Sequence, residues 1–98
     1  PGEGRPVPTE RERMLAGELY LAGDPELVEL RQRARLLTAQ LNAIPADASP
    51  FTREAVCRQL FGRFGEGCYV EPPFRCDYGG NIELGDAVYL NFNCVILD

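Results

Sequence analysis

The sequence contains no histidine, and its four cysteines show no C-x-x-C pair. Zinc sites are built from closely spaced cysteine, histidine or carboxylate ligands, so no metal site is expected. Without histidine, these 98 residues also lack the side chain that most often acts as a general base near neutral pH. We expect Cys57, Cys68, Cys76 and Cys94 to be buried or half-buried thiols, kept reduced in a cytoplasmic protein.

The chain also lacks a basic face and a long apolar run. Its formal net charge is −5, which argues against a nucleic-acid partner, because phosphate binding needs clustered basic side chains. No apolar stretch approaches the roughly 20 residues of a membrane span, so no membrane association is expected. Residues 1–8 are polar and proline-rich, unlike a signal peptide, and are expected to be flexible. The first residue is not methionine, and we expect both ends to be internal to a longer protein.

Three helix starts can be predicted from capping residues. Thr9 and Glu12 form a capping-box pattern, which predicts a helix to about residue 20 with Met14 and Leu15 on its inner side. Asp24-Pro25 predicts an N-cap followed by proline at the first position of a helix ending near residue 42. The apolar stripe of that second helix consists of Leu27, Leu30, Ala34, Leu37 and Leu41.

The third helix is predicted from Ser49-Pro50, before the glycines at positions 62, 65 and 67 interrupt it. Its apolar side is expected to contain Phe51, Ala55, Leu60 and Phe61. The short apolar stretch 68–70 then predicts a strand that leads to a corner at Pro72-Pro73.

The last part of the chain repeats an aliphatic residue every six positions, at Leu84, Leu90 and Ile96. A chain wound in triangular coils has this period, because each flat side takes about one hexad and its aliphatic residue points inward. Gly85 and Asn91 follow inward positions and tolerate the left-handed backbone that sharp corners can require. The alternative is two ordinary strands at 87–90 and 94–97, with the spacing an accident.

Two motif blocks resemble one known family. FRCDYG (74–79), Asn81-Ile82, Gly85 and NFNCVILD (91–98) resemble the start of the hexapeptide-repeat core of the galactoside and maltose O-acetyltransferases. MLAGELY (14–20) is similar to the opening of the small helical domain that precedes this core. The resemblance implies an α+β fold: a helical subdomain at 9–67, then the first coils of a truncated left-handed parallel β-helix at 68–98. It also implies a homotrimer.

The implied reaction is transfer of acetyl from acetyl-CoA to a hydroxyl of a sugar. In the family a histidine beyond the 91–98 motif is the base, so this segment alone is expected to be inactive. The coenzyme lies along later coils in the relatives, and no cofactor contact is expected here. A same-fold acyltransferase for an antibiotic or oligosaccharide, and a non-catalytic β-helix assembly module, are the alternatives.

The resemblance also implies site residues. Asn91 matches an asparagine that stabilises the transition state and helps to hold the acceptor; the alternative is a left-handed corner residue. Asp77 matches a polar residue that binds the sugar, but it could equally cap the turn at 78–80. Tyr89 points outward and could either line a sugar site or pack on a neighbouring subunit.

Two further acceptor contacts are expected in the helical part. Arg31 matches a basic residue that contacts the acceptor, with a solvated arginine as the alternative. The acidic residue of the galactoside enzymes falls at Ala22, with Asp24 two places on, which leaves the acceptor open. Asp98 matches the first acidic residue of the family motif, with a structural role expected.

Overall fold

The computed structural model describes residues 7–98, so most of the segment expected to be flexible, residues 1–6, lies outside the described residues. The chain divides into two compact units, one ending at Leu30 and the other spanning Arg31–Asp98. Its elements in order are α1 (Glu10–Leu15), α2 (Pro25–Asn42), α3 (Pro50–Leu60), β1 (Arg63–Phe64), β2 (Tyr69–Val70), β3 (Phe74–Cys76), β4 (Glu83–Leu84), β5 (Tyr89–Leu90) and β6 (Cys94–Ile96).

Helix α1 begins as predicted but ends early. The Glu12 amide donates to Thr9 Oγ1, and the Thr9 amide donates to Glu12 Oε1, each at 3.0 Å, which confirms the capping box. The helix stops at Leu15 because Gly17 has a φ of 76° and the Glu18 amide donates to the Arg13 carbonyl, the pattern of a Schellman C-cap. No residue of α1 is buried, so the predicted inner position of Leu15 is wrong.

Helices α2 and α3 have the predicted starts. The Glu26 amide donates to Asp24 Oδ2 at 3.1 Å, and the Phe51 amide donates to Ser49 Oγ at 3.3 Å. In α3, however, Phe51 and Ala55 are exposed, so their expected place on the apolar side is wrong. The predicted burial of Leu60 and Phe61 is confirmed. Cys57 is buried with Leu60 on the helix, whereas Phe61 is the extended C-cap residue that follows it.

The six strands form three two-stranded parallel sheets, β1 with β4, β2 with β5 and β3 with β6. Arg63 pairs with Glu83, Tyr69 with Tyr89 and Phe74 with Cys94, so every partner lies twenty residues farther along the chain. The chain therefore passes through the same three sides twice. We call the passage through β1, β2 and β3 the first turn and the passage through β4, β5 and β6 the second turn.

From the sequence, the coiled part is expected to begin at residue 68. In the structure the first turn already begins at β1, before that residue. Strand β1 is already paired with β4, and the Gly62 amide donates to the Ile82 carbonyl at 2.9 Å. The glycines that interrupt α3 also allow the two backbones to approach each other. A Cβ atom at Gly62 would overlap the carbonyl oxygen of Gly80.

The predicted inward residues Leu84, Leu90 and Ile96 stack on one residue each of the first turn. Their partners are Phe64, Val70 and Cys76, respectively. All six lie in or against one core cluster, which also contains residues of α2 and α3. The hexad spacing therefore predicted the inward side chains correctly.

The left-handed corners are not where the sequence predicts them. Positive φ angles occur at Ala87 (57°) and Asn93 (66°), two residues after Gly85 and Asn91. The shift follows from hydrogen bonding between turns, because the Ala87 amide donates to the Glu66 carbonyl at 2.8 Å and the Asn93 amide to the Pro73 carbonyl at 2.9 Å. No helix within residues 7–98 is both long and apolar enough to cross a bilayer.

Candidate functional site

Polar side chains meet at the corner between β3 and β4, formed by residues 77–81, which we call the Tyr78 corner. The Asp98 carboxylate accepts hydrogen bonds from the Tyr78 amide at 2.9 Å and from the Asn81 amide at 3.2 Å. The Asn81 side-chain amide donates to the Asp98 carbonyl at 3.1 Å. Asp98, at the end of the second turn, therefore holds the backbone of this corner, in agreement with the expected structural role.

Helix α2 contributes a cation to this corner. Arg31 Nη1 donates to the Tyr78 hydroxyl at 2.9 Å, and the guanidinium lies 5.8 Å from the centre of the Tyr78 ring. Tyr78 is buried, with 8% of its surface exposed. Arg31 is half-buried, so the alternative of a freely solvated arginine is wrong.

Asp77 precedes Tyr78 and is half-buried. It does not cap the turn at 78–80, where the amides of Tyr78 and of the following Asn81 donate to the Asp98 carboxylate. Within residues 7–98 the Asp77 carboxylate accepts no hydrogen bond. A carboxylate without donors from the chain can accept hydrogen bonds from a ligand.

The neighbouring thiol of Cys76 is not a nucleophile at neutral pH. Burial, followed by the charges of Asp98 and Asp77, raises the pKa of Cys76 to about 12. Burial likewise raises the pKa of Cys57 to about 11. Thiols react as thiolates, so both side chains are packing residues.

Asn91 lies in the corner after β5 and is exposed. Its Oδ1 accepts a hydrogen bond from the Phe92 amide at 2.8 Å. The backbone of Asn91 is not left-handed, whereas that of Asn93 is, so the left-handed corner residue is Asn93. Its side-chain nitrogen has no acceptor in the described part of the chain. That nitrogen can donate to a ligand.

Tyr89 lies on the outer side of the sheet formed by β2 and β5, with 58% of its surface exposed. Its ring stacks on Tyr69 with centroids 5.6 Å apart and an interplanar angle of 8°. The Arg53 guanidinium lies 4.6 Å from the Tyr69 ring centre. Partial desolvation, followed by the charge of Glu71, raises the pKa of Tyr89.

The sequence prediction missed Tyr69 and Arg53. The twenty-residue separation of Tyr69 and Tyr89 would have identified the stack once the length of one turn was known. A hollow of about 230 Å³ lies beside them, lined by Ile44, Ala46, Arg53, Tyr69, Glu71 and Pro72.

Asp24 has a structural contact of its own, because it caps α2 in the unit that ends at Leu30. The structure thus joins Arg31 to Tyr78, the residue after Asp77 in the chain. It places Tyr89 on strand β5 and Asn91 in the corner that follows this strand. Among residues 7–98 there is no group of three or more histidine, cysteine, aspartate or glutamate side chains that could hold a metal ion. Guanidinium, carboxylate and amide groups of this kind can bind a ligand rich in hydroxyls.

Comparison with known proteins identifies the family. Residues 13–65 match the model of the maltose acetyltransferase hexapeptide capping motif. Nodulation protein L of Rhizobium meliloti (strain 1021) is 43% identical over 94 residues, which cover 92% of this chain and 49% of that protein. The chain therefore spans about half the length of the curated relatives it matches.

Two solved structures extend the similarity to three dimensions. A maltose O-acetyltransferase from Clostridium difficile 630 superposes with a TM-score of 0.90 at 41% identity, over 95% of this chain and 49% of that chain. A galactoside acetyltransferase in complex with coenzyme A superposes with a TM-score of 0.85 at 34% identity, over 95% of this chain and 46% of that chain. The chain belongs to the galactoside and maltose O-acetyltransferase family of hexapeptide-repeat acyltransferases.

Proposed function

We propose that the chain is the N-terminal part of an O-acetyltransferase that moves acetyl from acetyl-CoA to a hydroxyl of a maltose-like or galactoside-like sugar. The observation that carries the proposal is the superposition of nearly the whole chain on a maltose O-acetyltransferase and on a galactoside acetyltransferase bound to coenzyme A.

In this reaction the acceptor hydroxyl oxygen bonds to the thioester carbonyl carbon and its proton passes to a base. The carbon–sulfur bond then breaks, and coenzyme A leaves as the thiol after taking up a proton. Residues 1–98 contain no histidine, so we place the base in the part of the protein beyond residue 98. The 98-residue segment alone is then inactive.

We assign acceptor binding to Asp77 and Arg31. The Asp77 carboxylate can accept hydrogen bonds from adjacent hydroxyls, and it accepts none from residues 7–98. The Arg31 guanidinium, held by Tyr78, can donate to ligand oxygens. We assign further acceptor contacts to Tyr89, for its exposed ring face, and to Asp24, at the start of α2.

We assign transition-state stabilisation to Asn91, whose side-chain nitrogen can donate to the oxyanion that forms on the thioester carbonyl. The absence of a left-handed backbone at Asn91 supports this role, because corner geometry does not require asparagine there. Asn91 can also donate to the acceptor.

We further propose that the two turns open a left-handed parallel β-helix and that the complete protein is a cytoplasmic homotrimer. Three parallel sheets with inward residues six apart support the β-helix. Exposed apolar side chains on the second turn, Tyr89, Phe92 and Val95, support burial against another copy of the protein. The four free cysteines support a reducing compartment.

The test is an acceptor panel with labelled acetyl-CoA and the complete gene product. We expect label on a disaccharide or galactoside and release of one coenzyme A thiol for each acetyl transferred. Transfer only to antibiotic or lipid-linked acceptors would show that the acceptor belongs to that class and is not a simple sugar. No transfer to any acceptor, with intact binding to other proteins, would favour an assembly module.

Asn91→Ala in the complete protein should lower kcat by roughly two to three orders of magnitude, because an oxyanion donor is lost. Asn93→Ala is the matched control: it changes a corner of the same motif and should lower stability without a comparable loss of kcat. Equal rates for Asn91→Ala and the unchanged protein would remove Asn91 from the mechanism.

A further inference from the structure

We infer that Tyr78 is a positioning residue: its hydroxyl orients the Arg31 guanidinium, and Asp98 holds Tyr78 in place. The inference rests on the proposed function, because it concerns the side chains assigned to the acceptor. It adds Tyr78 and Asp98 to that site, neither of which was expected from the sequence to act on the acceptor.

The Tyr78 hydroxyl is a fixed hydrogen-bond acceptor. The ring is buried, and the backbone on either side of it is tied to Asp98 by the two amides of Tyr78 and Asn81. The next residue, Gly79, has a φ of 79° and lies against Leu60, so closely that a Cβ atom would come within 2.5 Å of Leu60 Cδ1. The corner therefore cannot rotate to follow a moving arginine.

Arg31 is the mobile partner. An arginine side chain has several rotatable bonds, and a free side chain loses this rotamer entropy when it binds a ligand. The 2.9 Å hydrogen bond to the Tyr78 hydroxyl, together with the ring face 5.8 Å away, restricts the guanidinium before a ligand arrives. Part of the entropy is thus lost on folding and not on binding.

Asp77 supplies the complementary group. It is joined to Tyr78 by a peptide bond, it is half-buried, and its carboxylate accepts no hydrogen bond from the part of the chain that the structure describes. A positioned donor and a carboxylate without donors of its own can both bind hydroxyls, each of which can donate and accept. The substrate class that fits is a polyol or sugar.

The test uses Tyr78→Phe in the complete protein, which keeps the buried ring and removes only the hydroxyl. We expect the KM of the acceptor to rise about three- to tenfold, the effect of one hydrogen bond, with kcat and the KM of acetyl-CoA within twofold of the unchanged protein. A merely structural role of the hydroxyl would alter all three constants together or none.

A double-mutant cycle is the control. If Tyr78 acts through Arg31, the double variant Tyr78→Phe/Arg31→Ala should have the same acceptor KM as Arg31→Ala alone. Independent, additive effects of the two substitutions, or an unchanged acceptor KM in Tyr78→Phe, would overturn the inference.

A second measurement needs no turnover. In the 1H–15N spectrum of the arginine side chains, the Arg31 Nη signals should be sharpened by slow rotation, and Tyr78→Phe should shift and broaden them. Identical Arg31 signals in both proteins would overturn the inference. If the unchanged protein acetylates nothing, the proposed function fails, while this spectrum still decides the positioning role.

Discussion

The first and second turns carry similar side chains at equivalent positions but differ in burial. Val70 in the first turn is fully buried, whereas Leu90, its partner in the second turn, is partly exposed. The first turn is covered by helical residues as well as by the second turn, and Phe61 at the end of α3 stacks with Phe64 and lies 5.4 Å from the Phe74 ring. The hexad decides which side chains point inward, and the layers on both sides decide how completely each of them is buried.

Two glycines at equivalent positions, Gly65 in the first turn and Gly85 in the second, also differ in how closely other atoms pack against them. Gly65 in the first turn lies against the backbone of the second turn, and a Cβ atom there would overlap the Gly85 carbonyl oxygen and come within 2.6 Å of Asp86 Oδ1. A Cβ atom at Gly85 would meet no atom within 4 Å in the described residues. Close approach between turns therefore explains one glycine of this pair and not the other.

The largest effect is expected from Gly65→Ala in the 98-residue chain. Because the new methyl group must push two paired backbones apart, the free energy of unfolding should fall by about 3 kcal/mol. The matched change Gly85→Ala should alter it by less than about 0.5 kcal/mol. Denaturant unfolding of both variants measures the difference, and similar losses would contradict the asymmetry between turns.

A medium effect is expected at the left-handed corners, where the first turn has Gly67 (φ 73°) and the second has Ala87 (φ 57°). Gly67→Ala should lower the free energy of unfolding by about 1 kcal/mol, through backbone strain alone, because the nearest atom to its Cβ is Ala87 Cα at 3.9 Å. Ala87→Gly relieves the same strain and should be neutral or stabilising by up to about 1 kcal/mol. Thermal unfolding compares the two, and a clear loss of stability in Ala87→Gly would show that its methyl group has a packing role.

The effect that is smallest at neutral pH concerns the Cys76 thiol of the first turn, because it arises only as pH approaches 9 and above. Its pKa rises from 9 in the unfolded chain to about 12 in the folded one, through burial and then the charges of Asp98 and Asp77. Below pH 9 the thiol is protonated in both states. Between pH 9 and 12 only the unfolded chain loses the proton, so the thiol lowers folding stability progressively as pH rises.

Unfolding of Cys76→Ala and of the unchanged chain at pH 7.5, 9 and 10.5 measures the contribution of the Cys76 thiol to the free energy of unfolding. The stability difference between the two chains should shift in favour of Cys76→Ala as pH increases. A difference that does not change with pH would mean that the thiol is ionised as easily in the folded chain as in the unfolded one.

Local signals predicted much of the fold. Capping residues such as Thr9, Asp24 and Ser49 marked the helix starts, because a side-chain oxygen that satisfies a free backbone amide acts within three residues. The hexad of Leu84, Leu90 and Ile96 predicted the inward positions, since period alone decides which side chains share the interior. The family motifs added the reaction class and the acceptor candidates.

Local signals failed where the neighbour is distant in sequence. Helix periodicity did not reveal that Phe51 faces outward, because the face that is buried depends on what the helix packs against. At two corners of the second turn the left-handed residue, Ala87 or Asn93, donates its amide to a carbonyl of the first turn, so the position of that residue depends on a contact distant in sequence.

The sequence by itself determined the helix starts, the inward side chains of the two turns and the family. Only the tertiary structure decided that Asp98 holds the Tyr78 corner, that Arg31 binds the Tyr78 hydroxyl and that Asp77 is left without a donor among residues 7–98. The reason is separation along the chain: Arg31 and Tyr78 are 47 residues apart, and Asp98 is 20 residues from Tyr78. Such contacts form only when the second turn stacks on the first and α2 packs beside them, and no local pattern encodes that placement.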